Sequence, residues 1–374
     1  MPPLALRNLT HDRVRLAVTL TGIVFAVVLI VVELGLFVGF TVTTSNLIDN
    51  SSADLWVTSK HVPYIELGVP FSERKLYQVR AVPGVANAQK FILRWTQWKR
   101  HDGRQESVQI VGINPDKPLV GPWNLVGGSV ADLKKPDAII IDELYKDKLG
   151  VTRAGEVFEL NGRRARIVGF TRGIRAFTTS PHVFTAFKNA QDCTRVPEDQ
   201  TIFVLLKVAP GADLNQVRSD ILASVKDVDV YTSAEFSHMT RFYWMFTTGA
   251  GVALLLAAVL GLVVGFVVVA QTIYATTIDH LREFGTLKAI GASNRYIYRV
   301  ILEQASISAV IGYALGMIVS LLAVRGSQHG GASILVPWPM AISMFFVTLS
   351  MCAGAAMVSI RKVTRLDPAM VFKG

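Results

Sequence analysis

Cysteine is nearly absent from this 374-residue chain, which has only Cys193 and Cys352. Cys193 lies in a polar region and Cys352 in an apolar run, so they do not pair, and any globular part folds without an internal disulfide. Cys193 has no second cysteine near it, and the seven histidines include no H-x-x-x-H pair, so metal-ligand spacing is missing. No G-x-x-x-x-G-K-[ST] loop is present to cradle nucleotide phosphates, and no G-x-S-x-G elbow to raise a nucleophilic serine. The adjacent carboxylates Asp142 and Glu143 point apart on either a helix or a strand and read as a helix N-terminal turn. ATP hydrolysis by a P-loop, zinc chemistry and serine hydrolysis are thereby set aside for this chain.

Apolar sequence, by contrast, is abundant, at 51% of residues. Residues 16–40, 242–270, 305–324 and 340–360 are each long enough to cross a bilayer, which takes about 20 apolar residues. The first run is too long for the core of a signal peptide, and no small-x-small cleavage site follows Phe40, so it reads as a retained span. The polar region after it is large enough to bury a core of its own.

The net charge of +10 suggests nucleic acid, but its distribution does not. Residues 46–238 hold 25 Lys+Arg and 22 Asp+Glu, so this region carries only +3 of the total. The remainder flanks the apolar runs: Arg7, Arg13 and Arg15; Arg282, Lys288, Arg295 and Arg299; Arg361, Lys362, Arg365 and Lys373. These clusters fall on one side of a four-span chain, and the positive-inside rule makes that side cytoplasmic. Both termini are expected inside and the large domain outside. No nucleic-acid partner is expected; the lipid bilayer is.

These boundaries divide the chain into an interfacial helix (1–15), TM1 (16–41), an extracytoplasmic domain (42–240), TM2 (241–275), a cytoplasmic helix (276–299), TM3 (300–324), an outer loop (325–339), TM4 (340–360) and a tail (361–374). The fold class is an α+β integral membrane protein with a mixed α/β domain between its first two spans. Small residues recur every four positions in the spans: Gly35 and Gly39; Ala257, Gly261 and Gly265; Ser308, Gly312 and Gly316. Such strips allow close helix–helix approach, and they point to a packed bundle that assembles as a homodimer. Glu33 is the ionisable residue of the first span; it either serves function, bonds across a helix interface or snorkels to the outer water.

Within the outer domain, residues 54–59 alternate as a strand, 72–82 read as a helix with Ser72 as N-cap, and 85–98 and 108–113 are strands. A similar order returns as a strand at 202–208, a helix at 213–225 and a strand at 228–231. Two similar units flanking an insertion imply a split domain, 45–116 with 199–238, around a β-rich insertion at 117–198. Asn161-Gly162 supplies a hairpin turn within that insertion. Arg163, Arg164, Arg166, Arg172 and Arg175 read as a solvated hairpin face, with anionic lipid or an acidic partner as the alternative. Phe91, Trp95 and Trp98 read as packing residues.

The stretch 278–299 stands apart. Leu281, Phe284, Leu287 and Ile290 recur every three residues along one side of a short helix that carries Arg282, Glu283 and Lys288. Gly291 breaks that helix and Ser293 caps the next. The run R-E-F-G-T-L-K-A-I-G-A-S resembles the loop after the second span of FtsX/MacB-type ABC permeases, a coupling helix that docks on a separate ATPase. Phe284 stands where an aliphatic residue is common. F-S-E-R-K-L-Y-Q-V-R, G-V-A-N-A and V-Q-I-V-G-I-N-P-D are similar to the DevC-like subgroup, and R-L-D-P-A-M-V-F to the family's ending.

This resemblance implies a non-catalytic permease subunit of an exporter in the bacterial inner membrane, with a periplasmic domain that has a porter-like half and a β-rich half. Its implied partners are an ABC ATPase subunit, a periplasmic membrane-fusion adaptor and, in a Gram-negative cell, a TolC-like outer-membrane duct. This chain is then expected to hold no cofactor, with ATP and Mg on the ATPase. Docking falls on Glu283, Phe284, Gly285, Leu287, Lys288, Gly291 and Ala292, with Phe284 and Leu287 as apolar anchors and Glu283 and Lys288 at the rim. The alternatives are an FtsX-like regulator of a cell-wall hydrolase, against which the large insertion speaks, and a membrane-tethered sensor without an ATPase.

Overall fold

The computed structural model describes residues 13–178, 180–279, 281–327 and 333–364, without the side chains of 15, 279, 281, 282, 284, 289 and 359–364. The interfacial helix expected before residue 13 and the family-like ending after residue 364 lie outside the described residues. The chain divides into two units, Met1–Gly39 with Val252–Gly374, and Phe40–Gly251.

The first unit is helical. Four helices among the described residues contain segments long and apolar enough to cross a membrane: Leu16–Thr44, Ala250–Ile278, Asn294–Gly326 and Trp338–Val358. The second begins later than the apolar run suggests. Residues Tyr243–Thr247 form a π-turn, Gly249 follows with φ of 75°, and the Thr248 hydroxyl accepts from the Ala250 amide at 3.2 Å. A left-handed glycine and a new N-terminal cap together restart the helix, so the span opens at Ala250 rather than at 241.

The second unit is built on strands. Among the described residues these are β1 (Leu55–Ser59), β2 (Phe71–Ser72), β3 (Val85–Lys99), β4 (Gln105–Ile113), β5 (Leu125–Gly127) and β6 (Ala138–Asp142). They continue with β7 (Val157–Leu160), β8 (Arg163–Thr171), β9 (His182–Ala186), β10 (Gln200–Thr201), β11 (Phe203–Val208) and β12 (Val228–Thr232). Short helices complete it: α1 (Arg74–Arg80), α2 (Phe187–Thr194), α3 (Leu214–Ser224) and α4 (Ser233–Phe242). The sheet runs β12-β1-β11-β3-β4-β9-β6-β8-β5.

One half follows directly from side-chain alternation. Leu55, Val57, Val204, Leu206 and Val230 point to one face, where Leu76 and Val79 of α1 and Val217 and Ile221 of α3 cover them. Trp56, Phe91, Phe203 and Phe236 are fully buried on the other, with ring centroids 5.5–5.9 Å from Trp56 to each neighbour. The Trp56 indole donates to Ser233 Oγ at 3.1 Å, which satisfies the polar atom that this burial would otherwise strand. Ser72 does not cap α1 as expected. It belongs to β2, Glu73 occupies the N-cap position, and the Ser72 hydroxyl accepts from the Arg74 amide, at 3.3 Å.

The other half closes on itself. β7 pairs with β8 and with the far end of β3, so β3, β4, β9, β6, β8 and β7 form a ring in which each strand has two partners. Closure removes the free edges that an open insertion would present. Trp98, Phe158 and Leu160 are buried there, and the Trp98 indole donates to Leu149 O at 3.1 Å. Residue 117 is therefore not a structural seam. β3 is fifteen residues long and serves both halves, pairing with β11 at its start and with β7 at its end. Asn161 and Gly162, at φ of 49° and 79°, turn β7 into β8 as the sequence predicts.

Candidate functional site

The stretch between the second and third spans folds as its residues dictate. Helix α5 (Leu281–Ala289) is amphipathic and nine residues long. The Gly291 amide donates to Lys288 O at 3.1 Å and the Ala292 amide to Leu287 O at 3.0 Å, with Gly291 at φ of 99°. These two bonds and the left-handed glycine make a Schellman stop, which satisfies carbonyls that the helix end leaves open. Ser293 then caps the third span, its hydroxyl accepting from the Tyr296 amide at 3.3 Å.

The side chains of α5 are not all disposed as the period-three stripe suggests. Glu283 is exposed, Gly285 is buried and Lys288 is half-buried. Leu287, expected as an outward anchor, is half-buried and packs against the apolar cluster of the spans. Its neighbour Ile290 is 80% exposed. A period of three drifts around a helix that turns every 3.6 residues, so the ends of such a stripe face different ways. The Phe284 side chain lies outside the described residues.

The glycine strips serve the first span. A Cβ at Gly312 would fall 2.5 Å from Ile23 Cγ2, at Gly316 2.8 Å from Val27 Cβ, and at Gly265 3.0 Å from Ile30 Cδ1. Gly261 faces Leu29 and Glu33 at 3.5–3.6 Å. The second and third spans thus turn their strip glycines onto the first span within a single chain. The nearest neighbours of Gly35 and Gly39 do not belong to a helix. These two glycines admit the extended segment before the fourth span: Leu335 N donates to Gly35 O at 3.0 Å, and a Cβ at Gly39 would land on Ser333 O. Glu33 is half-buried and makes no hydrogen bond or ion pair among the described residues.

Sequence reasoning missed the chain segments that leave the first span and enter the second. Arg241 Nη2 donates to Asp49 Oδ2 at 2.5 Å, and Arg241 Nε to Ser45 Oγ at 2.6 Å. Ser237 Oγ and Ser45 Oγ each donate to Asp49, both at 2.7 Å. One carboxylate thereby ties the turn after the first span to helix α4, which leads into the second. Beside this clamp lies a set of rings. Phe40 packs edge-on to Phe177, Phe177 meets Trp244 at 4.4 Å, and Trp244 and Tyr243 enclose Tyr64, the latter stacked at 4.0 Å. The dense aromatic run Phe242 to Phe246 was the available signal, but it reads equally as the start of a span.

Among the described residues no group of three His, Cys, Asp or Glu is placed to hold a metal ion. Asp142 is held as a helix cap, accepting from the Leu144 and Ile174 amides and the Thr171 hydroxyl at 2.7–3.0 Å. Arg172 bonds Glu143, while Arg163, Arg164 and Arg166 are exposed along β8.

With this geometry in hand, the relatives of the chain are informative. The MacB-like periplasmic core domain family matches residues 16–224, and the FtsX-like permease C-terminal family matches residues 255–368. An uncharacterised ABC transporter permease of Mycobacterium tuberculosis is 24% identical over 383 residues, covering 99% of both chains. The macrolide export ATP-binding/permease protein MacB of Escherichia coli is 23% identical over 98% of this chain and 59% of its own length. The periplasmic region of MacB from Actinobacillus actinomycetemcomitans is similar at 9% identity, TM-score 0.38, over 51% of this chain and 94% of that one. The family matches, which together span the first span, the domain and the remaining helices, decide the assignment: the chain belongs to the MacB-like, FtsX-like family of ABC transporter permeases.

Proposed function

We propose that this chain is the membrane subunit of an exporter in which a separate ABC ATPase docks on α5 and pushes. The spans relay the stroke as a rigid-body movement, and the Phe40–Gly251 unit passes substrate on to a membrane-fusion adaptor and, in a cell with an outer membrane, a TolC-like duct. In this reading α5 and both termini are cytoplasmic, the domain is periplasmic, two copies of the chain assemble, and ATP and Mg bind the partner. The chain itself does no chemistry.

The observation that carries this reading is that α5 is a separately bounded helix between two spans. It is closed by a glycine stop at one end, followed at once by a capped span, and edged by the exposed Ile290. Such a helix can be pushed as a unit without unwinding its neighbours. Its polar flank, Glu283 and Lys288, suits a rim that sets register. The Escherichia coli relative is named a macrolide export ATP-binding/permease protein, which supports the pairing of a permease part such as this one with an ABC ATPase.

Full-length chain in nanodiscs with its ATPase tests the reading. Phe284→Ala and Ile290→Ala should leave insertion intact and lower ATPase binding, since anchors lose about 2 kcal/mol or more on truncation. Lys288→Ala should act less and depend more on salt. Equal binding and equal ATP turnover for wild type and both apolar variants would remove α5 from the docking site.

A further inference from the structure

Beneath the rings at the entry to the second span lies a small polar cavity of about 10 Å³, lined by Thr43, Thr44, Glu66, Gln109, Phe177 and His182 among others. That volume accommodates the centre of one water molecule. Gln109 and His182 are neighbours in the parallel β4–β9 register and are 1% and 5% exposed. Gln109 Nε2 and His182 Nδ1 are both buried and have no hydrogen-bond partner among the described residues. The Thr43 and Thr44 hydroxyls do not serve them, since each donates to Phe40 O.

Glu66 completes the lining. Part of the residue reaches solvent, yet its carboxyl is desolvated, and the Trp244 indole donates to it over a long 3.4 Å. No lysine or arginine pairs with it among the described residues. On the surrounding elements, Asp49 and Arg241 are bound to each other, and Arg175 flanks the loop that supplies Ala176 and Phe177. The other titratable groups nearby are phenols: Tyr64 and Tyr243 beside the carboxyl, and Tyr145, whose hydroxyl accepts from the Ala176 amide.

Unpaired buried donors and acceptors cost free energy, and a cavity of this size between them fits a bridging water. We propose that Glu66, Gln109 and His182 form a buried binding site for one water molecule and one exchangeable proton, set against the indole of Trp244. The water accepts from the Gln109 amide and donates to Glu66 and to His182 Nδ1. The proton resides on Glu66 and leaves to bulk solvent as pH rises.

The direction of each titration follows from burial. Desolvation pushes the Glu66 carboxyl up to about 7 and the His182 imidazole down to about 4. Glu66 therefore favours folding while protonated, and stability falls as pH rises from its ordinary value through about 7. His182 favours folding while neutral, and stability falls as pH drops from its ordinary value through about 4. Together they place a stability maximum in the weakly acidic range. Loss of the Glu66 proton also turns a weak acceptor into a charged one, so the Trp244 bond should tighten above neutrality. The domain would then hold the π-turn differently on the two sides of pH about 7.

This inference does not depend on the coupling reading, and its test needs no ATPase. Infrared pH titration of the full chain in nanodiscs should show a protonated-carboxyl band lost with a midpoint near 7, absent in Glu66→Gln and retained in Glu33→Gln. The thermal midpoint should fall on both sides of its weakly acidic maximum, with Glu66→Gln abolishing the alkaline fall and His182→Gln the acidic one. A band that survives Glu66→Gln overturns the assignment. Should that variant not fold, the wild type still decides: a thermal midpoint that is flat between about pH 5 and 8 overturns the proposal.

Discussion

The membrane helices and the strand-built domain reach close packing by opposite means. In the bundle the decisive residues are those with nothing to contribute: Gly265, Gly312 and Gly316 let Ile30, Ile23 and Val27 of the first span approach their backbones. In the domain the decisive residues are the largest ones, Trp56, Phe91, Phe203 and Phe236, interlocked at ring distances. The difference follows from the solvent. In water, burying an aromatic side chain is itself strongly favourable. In lipid that drive disappears, and what remains is contact at short range and the occasional polar bond, such as Thr19 to Thr276 at 3.0 Å. Large-to-small changes should therefore damage the domain, and small-to-large changes the bundle.

The largest effect is expected at Trp56. Truncation to Ala removes the centre of the aromatic cluster and leaves the Ser233 hydroxyl without its indole donor. A cost of about 3–5 kcal/mol is expected. Urea titration should show near-ultraviolet signal and protease resistance of the domain lost early while far-ultraviolet helical signal persists. A wild-type midpoint for Trp56→Ala would break the contrast from the domain side.

Gly312→Leu probes the other side. Ile23 stands 2.5 Å from the position of the new Cβ and is itself buried, so the helices must part. Overpacking of this kind costs about 1–3 kcal/mol. Gly261→Leu is the matched comparison, since its nearest neighbours lie 3.5–3.6 Å away in ordinary contact. The thermal midpoint in detergent should drop clearly more for Gly312→Leu. Equal drops would mean that side-chain bulk, and not the local approach, sets bundle stability. Because these glycines are spent inside one chain, neither variant should act first on subunit association.

What could be read in advance follows the same division. The four spans, α5, its glycine stop and the Ser293 cap were legible because each rests on local pattern: apolar length, helical spacing, a left-handed glycine. The strands around Trp56 were legible from alternation, though not their pairing. Closure of the second half was not, because the pairing of β7 with the end of β3 joins residues some sixty positions apart and leaves no local mark. β9 was hidden likewise; His182 and Gln109 gain meaning only as cross-strand neighbours. The Asp49–Arg241 clamp spans 192 positions. Partner choice for the glycine strips stayed open for the same reason: a strip announces close approach but does not say to what.

The smallest expected effect on stability lies at Gly291, and it tests whether a single backbone angle has consequences beyond the turn that contains it. At φ of 99° an alanine Cβ is strained whatever space surrounds it, and nothing lies within 4 Å to clash. The cost is therefore purely conformational, about 1 kcal/mol. Gly162, at φ of 79° with open space around its own Cβ position, offers the same substitution in the domain. The two variants should lower the thermal midpoint comparably, since the same strain is introduced at each. They should part company in hydrogen exchange. At Gly162 the turn is held by the flanking β7–β8 pairs, so exchange should change only locally. At Gly291 the amides of Gly291 and Ala292 supply the bonds that close α5, and losing the left-handed turn releases Leu287 and Lys288 carbonyls together. Exchange should then rise from residue 285 to 292 in Gly291→Ala, while the third span stays protected from its Ser293 cap onward. Protection of α5 equal to wild type would mean that the helix is held by its contact with the spans, through Leu287, and not by its own stop.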